Sequence, residues 1–321
     1  MKISISEILA APWATRVVST AIRLKLFTIL SNKMMTVQGI SSRCGAVPHL
    51  LKAVLDVCVS MGLMELQNGR YMNSQFSREY FVAGASRYVG DLIELQHIES
   101  KQWDRLYEMI KGDTSVEVDQ QFDQASHRTY IQAMNNLGTL AEAEALRNSV
   151  DLSDCKEMVD AGGGSGIYSV ALCQKHPELR STILDTKETL VITEEMTAGR
   201  KERKRITLRE ADITKESFGE NIDAVLLSDV IYDESTAALV LRNAWNCLRK
   251  NGMLIVRGYY SDPEHSKHFF GALFVLNELV FDPNRKVMTI SSLEKSVRDL
   301  GFTITDVSPL TERSFILIAR K

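Results

Sequence analysis

The stretch Glu157-Met158-Val159-Asp160-Ala161-Gly162-Gly163-Gly164-Ser165-Gly166-Ile167-Tyr168-Ser169-Val170 decides how the rest of the chain is read. A short apolar run ends in an acid, a glycine-rich bend follows, and an amphipathic segment begins near Ile167. That order predicts a strand, a tight turn and a helix N-terminus, the geometry in which backbone amides face a nucleotide-like ligand. Glycine is needed there because a Cβ would oppose positive φ and hold a ligand off the backbone.

The spacing is Asp-x-Gly-x-Gly-x-Gly rather than Gly-x-Gly-x-x-Gly, and no Lys or Arg stands in or beside the turn. Phosphate sites recruit such a cation. This turn instead keeps Asp160, which reads as an acid at its mouth and suits a ligand with positive charge. About nineteen residues past Gly166, the predicted strand Ser181–Leu184 ends in Asp185. A carboxylate there can accept both hydroxyls of a ribose. Ribose, a positive charge and no phosphate point to S-adenosylmethionine. A dinucleotide, or a glycine-rich turn with no ligand, are the readings left open beside it.

Asp160 to Gly166, Asp185 and Asp212-Ile213 resemble the first three cofactor motifs of class I S-adenosylmethionine-dependent methyltransferases. The likeness is to the plant and bacterial small-molecule O-methyltransferases with an N-terminal winged-helix dimerisation domain. It implies an α/β fold, a Rossmann-like seven-stranded sheet preceded by an α-helical winged-helix domain. Its implied division is 1–100 for dimerisation, 101–150 as a helical connector contributing to the substrate pocket, and 151–321 for cofactor binding and catalysis. The implied cofactor contacts are Asp160, Gly162, Gly163, Gly164, Asp185, Asp212, Ile213 and Ser228.

At 321 residues the chain is long enough for two cores. Hydrophobic content of 45% and charged content of 25% are those of an ordinary soluble globular protein. A net charge of −3 gives no reason to expect nucleic acid or an anionic membrane as partner. The five scattered cysteines contain no C-x-x-C pair, which predicts reduced thiols and a cytoplasmic protein. The N-terminus lacks a secretory apolar region, and no apolar run approaches the roughly 18 residues of a membrane span.

Ser4 to Leu30 reads as two helices broken near Pro12. The second carries a broad apolar stripe through Val17, Ala21, Leu24 and Leu30, widened by Ile22, Leu26 and Phe27. Such a face must be buried; in the family it resembles it packs on a second subunit, and a homodimer is expected. Thr36 to Ser74 has winged-helix grammar: a helix over Val37–Arg43, the turn to Pro48, a helix to Gly62, and a hairpin around Asn68-Gly69. Its would-be recognition helix offers only His49 and Lys52 as cations, and the wing only Arg70, too few for a phosphate-binding face. Tyr80 to Arg147 reads as helical, with a loop from Gly112 to Gln121.

From Cys155 onward strands and helices alternate. Strands are expected at 157–160, 181–185, 205–209, 222–227 and 252–257, with helices at 166–175, 187–197 and 236–248. Helices follow over His265–Leu279 and Ser292–Leu300, then strands Phe302–Val307 and Ser314–Ala319. Alternation predicts a mostly parallel sheet covered on both faces, with the last two strands antiparallel. The basic run Arg200 to Arg205, interrupted by Glu202, reads as a solvated helix end.

Ligands sit beyond the carboxyl ends of such strands. Asp212-Ile213 is placed to meet an adenine, and Ser228-Asp229 the methionine portion and reacting centre. Methyl transfer to a phenol needs positioning and a base of near-neutral pKa. In plant-type O-methyltransferases that base is a His-Asp pair; here Tyr232 stands at the histidine position, with Asp233 retained as its partner. Two acids that flank the histidine fall on Gly258 and Val287. Val230-Ile231-Tyr232 is similar to the bacteriochlorophyllide carbon methyltransferases, which also lack the histidine. Tyr232 and Asp233 are the catalytic candidates, with Tyr232 either orienting the acceptor, taking its proton, or simply lining the pocket.

The resemblance places His97, Trp103, Met134 and Asn135 in the acceptor pocket, roofed by Phe269, Phe270, Leu273 and Asn277, for an aromatic or flat apolar substrate. His265 and His268, i and i+3 with Asp262 nearby, lack a third ligand at diagnostic spacing, and no metal is expected. The leading function is a small-molecule methyltransferase acting on oxygen or carbon. The competing ones are a non-methylating enzyme using the bound sulfonium electrostatically, and a ligand-sensing winged-helix regulator.

Overall fold

The computed structural model describes residues 4–112, 124–260 and 269–321. It divides into two compact units: Met1–Lys101 with Asp123–Leu137, and Gln102–Phe122 with Gly138–Lys321. The first is mainly helical; the second is built on a sheet. No helix among the described residues is long and apolar enough to cross a membrane.

The helical unit opens with one continuous helix, Ile5–Arg23, that carries Pro12 in its interior. The expected break at Pro12 is therefore corrected. Proline deletes one backbone hydrogen bond, and at this exposed position the Ser4–Glu7 capping box and the turns on either side hold the helix together. The chain breaks instead at Lys25, whose φ of 54° is left-handed, before the short helix Leu26–Leu30. Of the predicted apolar stripe, Ala21, Leu26, Phe27 and Leu30 are fully buried within this chain, while Val17, Ile22 and Leu24 are half-buried. A different stripe, Ile5, Ile8, Leu9 and Trp13, lies open, with Trp13 76% exposed.

Helices Val37–Cys44 and Pro48–Ser60 follow, then strands β1 (Met64–Gln67) and β2 (Arg70–Asn73). Asn68 and Gly69 both take positive φ, the type I′ turn that the Asn-Gly pair predicts. Lys52 is paired with Asp56 at 2.5 Å, four residues on along the same helix. Helices Gln75–Tyr80, Gly90–Trp103, Leu106–Ile110 and Gln124–Leu137 come next. The region is thus less continuously helical than expected: residues 81–89 are turns, with Gly84 left-handed.

In the sheet unit, β3 (Glu157–Ala161), β4 (Arg180–Asp185), β5 (Ile206–Glu210), β6 (Ile222–Ser228), β7 (Leu248–Gly258), β8 (Thr303–Pro309) and β9 (Phe315–Arg320) form one sheet in the order β5-β4-β3-β6-β7-β9-β8. β3 is parallel to both β4 and β6, while β9 is antiparallel to β7 and β8. Both faces are covered, so the strands read as continuous apolar runs. Ala224 and Leu226 face one buried cluster with Leu146, Leu172 and Ile183; Val225 and Leu227 face the other with Leu241 and Val297. β7 starts earlier than expected because Leu248 pairs with Ile222 across a register irregularity. The connections reverse direction between β3 and β6, and in such sheets the ligand crevice lies at that reversal, beyond the strands' carboxyl ends.

Candidate functional site

The glycine turn follows β3 directly. Gly162 has φ 72°, and a Cβ there would lie 2.4 Å from the Val230 side chain and 3.4 Å from Ile213. A Cβ on Gly163 would meet the Asp160 carboxyl at 2.8 Å. The loop is thereby pressed between the ends of β3, β5 and β6, with its backbone bare. The helix Ile167–Lys175 begins at its far side. This arrangement fits a nucleoside-like cofactor: Gly162, Gly163 and Gly164 present no side chain to hold a ligand off, Ser165 is buried, and the loop itself holds no Lys or Arg to receive a phosphate.

Asp160 corrects one expectation. It is not at the mouth of the loop but wholly buried beneath it, where Ser169 donates to Oδ2 at 2.6 Å and Oδ1 has no hydrogen-bond partner. Burial pushes its carboxyl up to about 6, opposed by the Ser169 hydroxyl and helped by the charge of Asp185. A group raised in the folded chain adds stability below its unfolded value and loses it as pH rises through the folded one. Denaturant melts of Asp160→Asn against the native chain test this. The difference should swing by roughly 2 kcal/mol in favour of the variant between about pH 4 and pH 8. A pH-independent difference would mean the buried acid carries no such strain.

Asp185 lies at the end of β4, where its Oδ2 accepts from the Gly164 N–H at 2.9 Å and its Oδ1 from the Thr186 N–H at 2.8 Å. It therefore ties the loop to β4, and each oxygen retains a second lone pair for a ribose hydroxyl. The Ile213 side chain lies 3.4 Å from where a Cβ on Gly162 would stand, beside the loop. Asp212 is more committed than expected. Its Oδ1 accepts from the Thr214 N–H and hydroxyl at 2.9 and 2.6 Å, and its Oδ2 from Lys215 at 2.7 Å. Those contacts bring its carboxyl down to about 2.

At the end of β6, Ser228 is buried and within 3.4 Å of Asp229. Tyr232 donates its hydroxyl proton to Asp229 Oδ1 and accepts the Tyr259 N–H at 3.3 Å. Its ring packs on Phe274 at 4.5 Å and on Tyr260 at 5.6 Å. The acid paired with Tyr232 is thus Asp229, three residues before it, and not Asp233. Asp233 is the N-cap of the helix Glu234–Cys247: its Oδ1 accepts from the backbone of Ser235 and Thr236, and the Ser235 hydroxyl also donates to it. Those bonds set its carboxyl below the usual range and give it a structural occupation.

Two features escaped the sequence reading. Arg257, at the end of β7, is completely buried; it donates to Glu142 at 2.6 Å and to Asp229, and lies over the rings of Tyr259 and Tyr168. Glu142 closes a π-helical turn, Gly138–Glu142, and also accepts from Ser314 at 2.5 Å and Thr311 at 2.8 Å. A π turn rotates the side chains that follow and recurs at functional sites.

Of the acceptor candidates, Trp103 donates its indole N–H to Asn277 at 3.1 Å, on the helix Phe269–Phe281. On that helix Phe270 and Leu273 remain 45% and 38% exposed, and the Arg313 guanidinium sits 5.0 Å from the Phe270 ring. His97, Met134 and Asn135 belong to the helical unit. There the ring nitrogens of His97 face Arg16 at 3.2 Å and Arg23 at 3.1 Å. Met134 and Asn135 are half-buried. Asp262, His265 and His268 lie outside the described residues.

Comparison with known proteins gives these features a context. A profile described as an O-methyltransferase domain matches residues 91–302, and one described as the O-methyltransferase dimerisation domain matches residues 6–83. The chain is 26% identical over 285 residues to the 3-hydroxy-5-methyl-1-naphthoate 3-O-methyltransferase of Streptomyces sahachiroi, covering 86% of this chain and 82% of that one. It is 23% identical over 274 residues to the bacteriochlorophyllide d C-20 methyltransferase of Chlorobaculum tepidum, covering 80% and 78%. Human N-acetylserotonin methyltransferase, solved in complex with SAM, superposes with a TM-score of 0.87 at 18% identity, covering 99% of this chain and 96% of that one.

Proposed function

This chain belongs to the O-methyltransferase family and is an S-adenosylmethionine-dependent methyltransferase of small molecules; from that premise we propose that it methylates a flat aromatic compound without a histidine base. Bound there, S-adenosylmethionine would supply an electrophilic methyl to the acceptor's attacking atom, its sulfur leaving with the C–S electron pair as the neutral thioether S-adenosylhomocysteine. Gly162, Gly163 and Gly164 would offer it bare backbone, Asp185 would receive its ribose, Ile213 would cover its base, and Ser228 would stand by the methionine end.

The observation that carries the reading of the acceptor is the aromatic wall beside the end of β6. Tyr232, Tyr260, Phe274 and Tyr259 pack there with their rings tilted to one another, and Phe274 shares its helix with Phe270 and Asn277. Planar apolar groups bury well against such a wall. Tyr232 keeps its hydroxyl proton, directed at Asp229, and its oxygen accepts the Tyr259 N–H. A phenol held in this way is an orienting group beside the acceptor rather than a base. This suits an acceptor atom, oxygen or carbon, whose nucleophilicity comes from the ring's own electron donation. The relatives named above act on an aromatic naphthoate and on a bacteriochlorophyllide, one at oxygen and one at carbon.

We propose further that the chain is a homodimer. The dimerisation-domain match and the open stripe Ile5, Ile8, Leu9 and Trp13 support this.

The test is incubation with S-adenosylmethionine and a panel of hydroxylated naphthoates and porphyrin-type rings, read by mass spectrometry. A product gaining one methyl, with stoichiometric S-adenosylhomocysteine, is expected. Tyr232→Phe should lower kcat/KM by about 10- to 100-fold through lost orientation. A panel in which no acceptor gains a methyl, while a pyrophosphate dinucleotide binds tightly, would overturn the proposal.

A further inference from the structure

Asp229 is the partly exposed member of a buried charge network, directly after the carboxyl end of β6. It has φ 59°, in the left-handed region that aspartate tolerates better than most residues. Four contacts hold it there. Its backbone N–H donates to the Arg257 carbonyl at 3.0 Å, Arg257 and the Ser228 hydroxyl donate to Oδ2, the latter at 3.4 Å, and Tyr232 donates to Oδ1. Arg257 is pinned from the other side by Glu142 at 2.6 Å.

The exposures of these side chains differ in a telling order: Arg257 0%, Glu142 5%, Asp229 24%. Two carboxylates share one guanidinium, so one negative charge is left over, and Asp229 is the member that opens outward. The residue after it, Val230, is the one pressed against Gly162 of the cofactor loop. The outward-facing acid therefore lies one residue from the loop contact, on the β6 side of the strand reversal. The loop itself holds no Lys or Arg to neutralise it.

We propose that Asp229 is the group through which the crevice reads the positive sulfur of its cofactor, so that the charged cofactor is held more tightly than the neutral product of methyl transfer. The proposal rests on the cofactor reading above. Arg257 on the same carboxylate cancels part of the attraction, and partial exposure screens more of it, so a preference of about tenfold is expected rather than the larger value of a lone buried pair. The consequence for turnover is directional: once the methyl has left, this attraction is gone and the spent cofactor leaves more readily. A carboxylate serving only as a scaffold would give no such charge preference.

Calorimetry near pH 7 with three ligands separates these cases: S-adenosylmethionine, S-adenosylhomocysteine, and sinefungin, which carries an ammonium in place of the sulfonium. The native enzyme should bind the two charged ligands about tenfold more tightly than the neutral one, with the gap narrowing as salt rises. Asp229→Asn should close the gap to about twofold while leaving S-adenosylhomocysteine affinity nearly unchanged. A native enzyme with equal affinity for all three, which needs no variant to fold, would overturn the proposal. So would an Asp229→Asn protein that weakens all three alike. Failure of the native enzyme to bind any of the three would instead sink the cofactor reading itself.

Discussion

Replacing Arg257 with methionine is expected to destabilise the sheet unit by about 3–5 kcal/mol, the largest stability loss of any single side chain discussed. The side chain is wholly buried, so the change leaves no hole that water can enter freely. What it leaves is two acids without their shared cation. Glu142 feels this most. Burial by itself pushes its carboxyl up; Arg257, together with the hydroxyls of Ser314 and Thr311, brings it below the ordinary range. A group lowered in this way contributes stability above its unfolded value and loses it as pH falls.

The penalty in the Arg257→Met chain should accordingly shrink toward acid pH, because an orphaned Glu142 then takes up a proton. Adding Glu142→Gln to the same chain should recover part of the loss, since the remaining amide can still bond Ser314 and Thr311. Urea denaturation of the native, single and double variants at about pH 5 and pH 8 provides the numbers. A loss below 1 kcal/mol, or a double variant worse than the sum of its parts, would show that the pair is not the charge-balanced unit described.

This network also marks the limit of what the chain's linear order discloses. The glycine loop is legible because its requirements are local: an acid closing an apolar run, glycines at fixed offsets, and a second acid at the next strand's end. Sheet order is legible for a similar reason. Alternating elements constrain connectivity, and a run such as Ala224 to Leu227 can only sit with both faces covered. Arg257 and Glu142 lie 115 residues apart, and nothing between them announces the contact. The π turn that aims Glu142 has no composition signature, and the left-handed backbone of Asp229 is not marked by a glycine.

Asp233 shows the opposite failure. Its position beside Tyr232 suggested a catalytic pair, yet an acid immediately before a helix is drawn to the free N–H groups of the first turn. Local backbone demand won over the distant analogy. At Pro12 the error ran the other way, because a local breaker was outweighed by the helix around it.

The second large effect belongs to the loop itself. Gly162→Ala should weaken S-adenosylhomocysteine binding by at least 100-fold while costing the fold only a few kcal/mol. Two penalties act together. The left-handed backbone costs alanine about 1–2 kcal/mol, and the new methyl would sit 2.4 Å from Val230, far inside contact distance. Val230 is itself fixed between Asp229 and the fully buried Ile231, so the strain passes into the loop and displaces the backbone that the cofactor meets. A shift of about 1 Å in a positioning element is enough for a loss of that size. Gly164→Ala is the control. Its φ of 53° imposes the same dihedral cost, but nothing lies within 4 Å of the added methyl. That variant should weaken binding by less than tenfold if close approach at Gly162, rather than backbone strain alone, is what the loop requires. Calorimetric titration of both variants decides the matter: equal losses would assign the effect to the dihedral, and unchanged affinity in Gly162→Ala would remove this turn from the cofactor site.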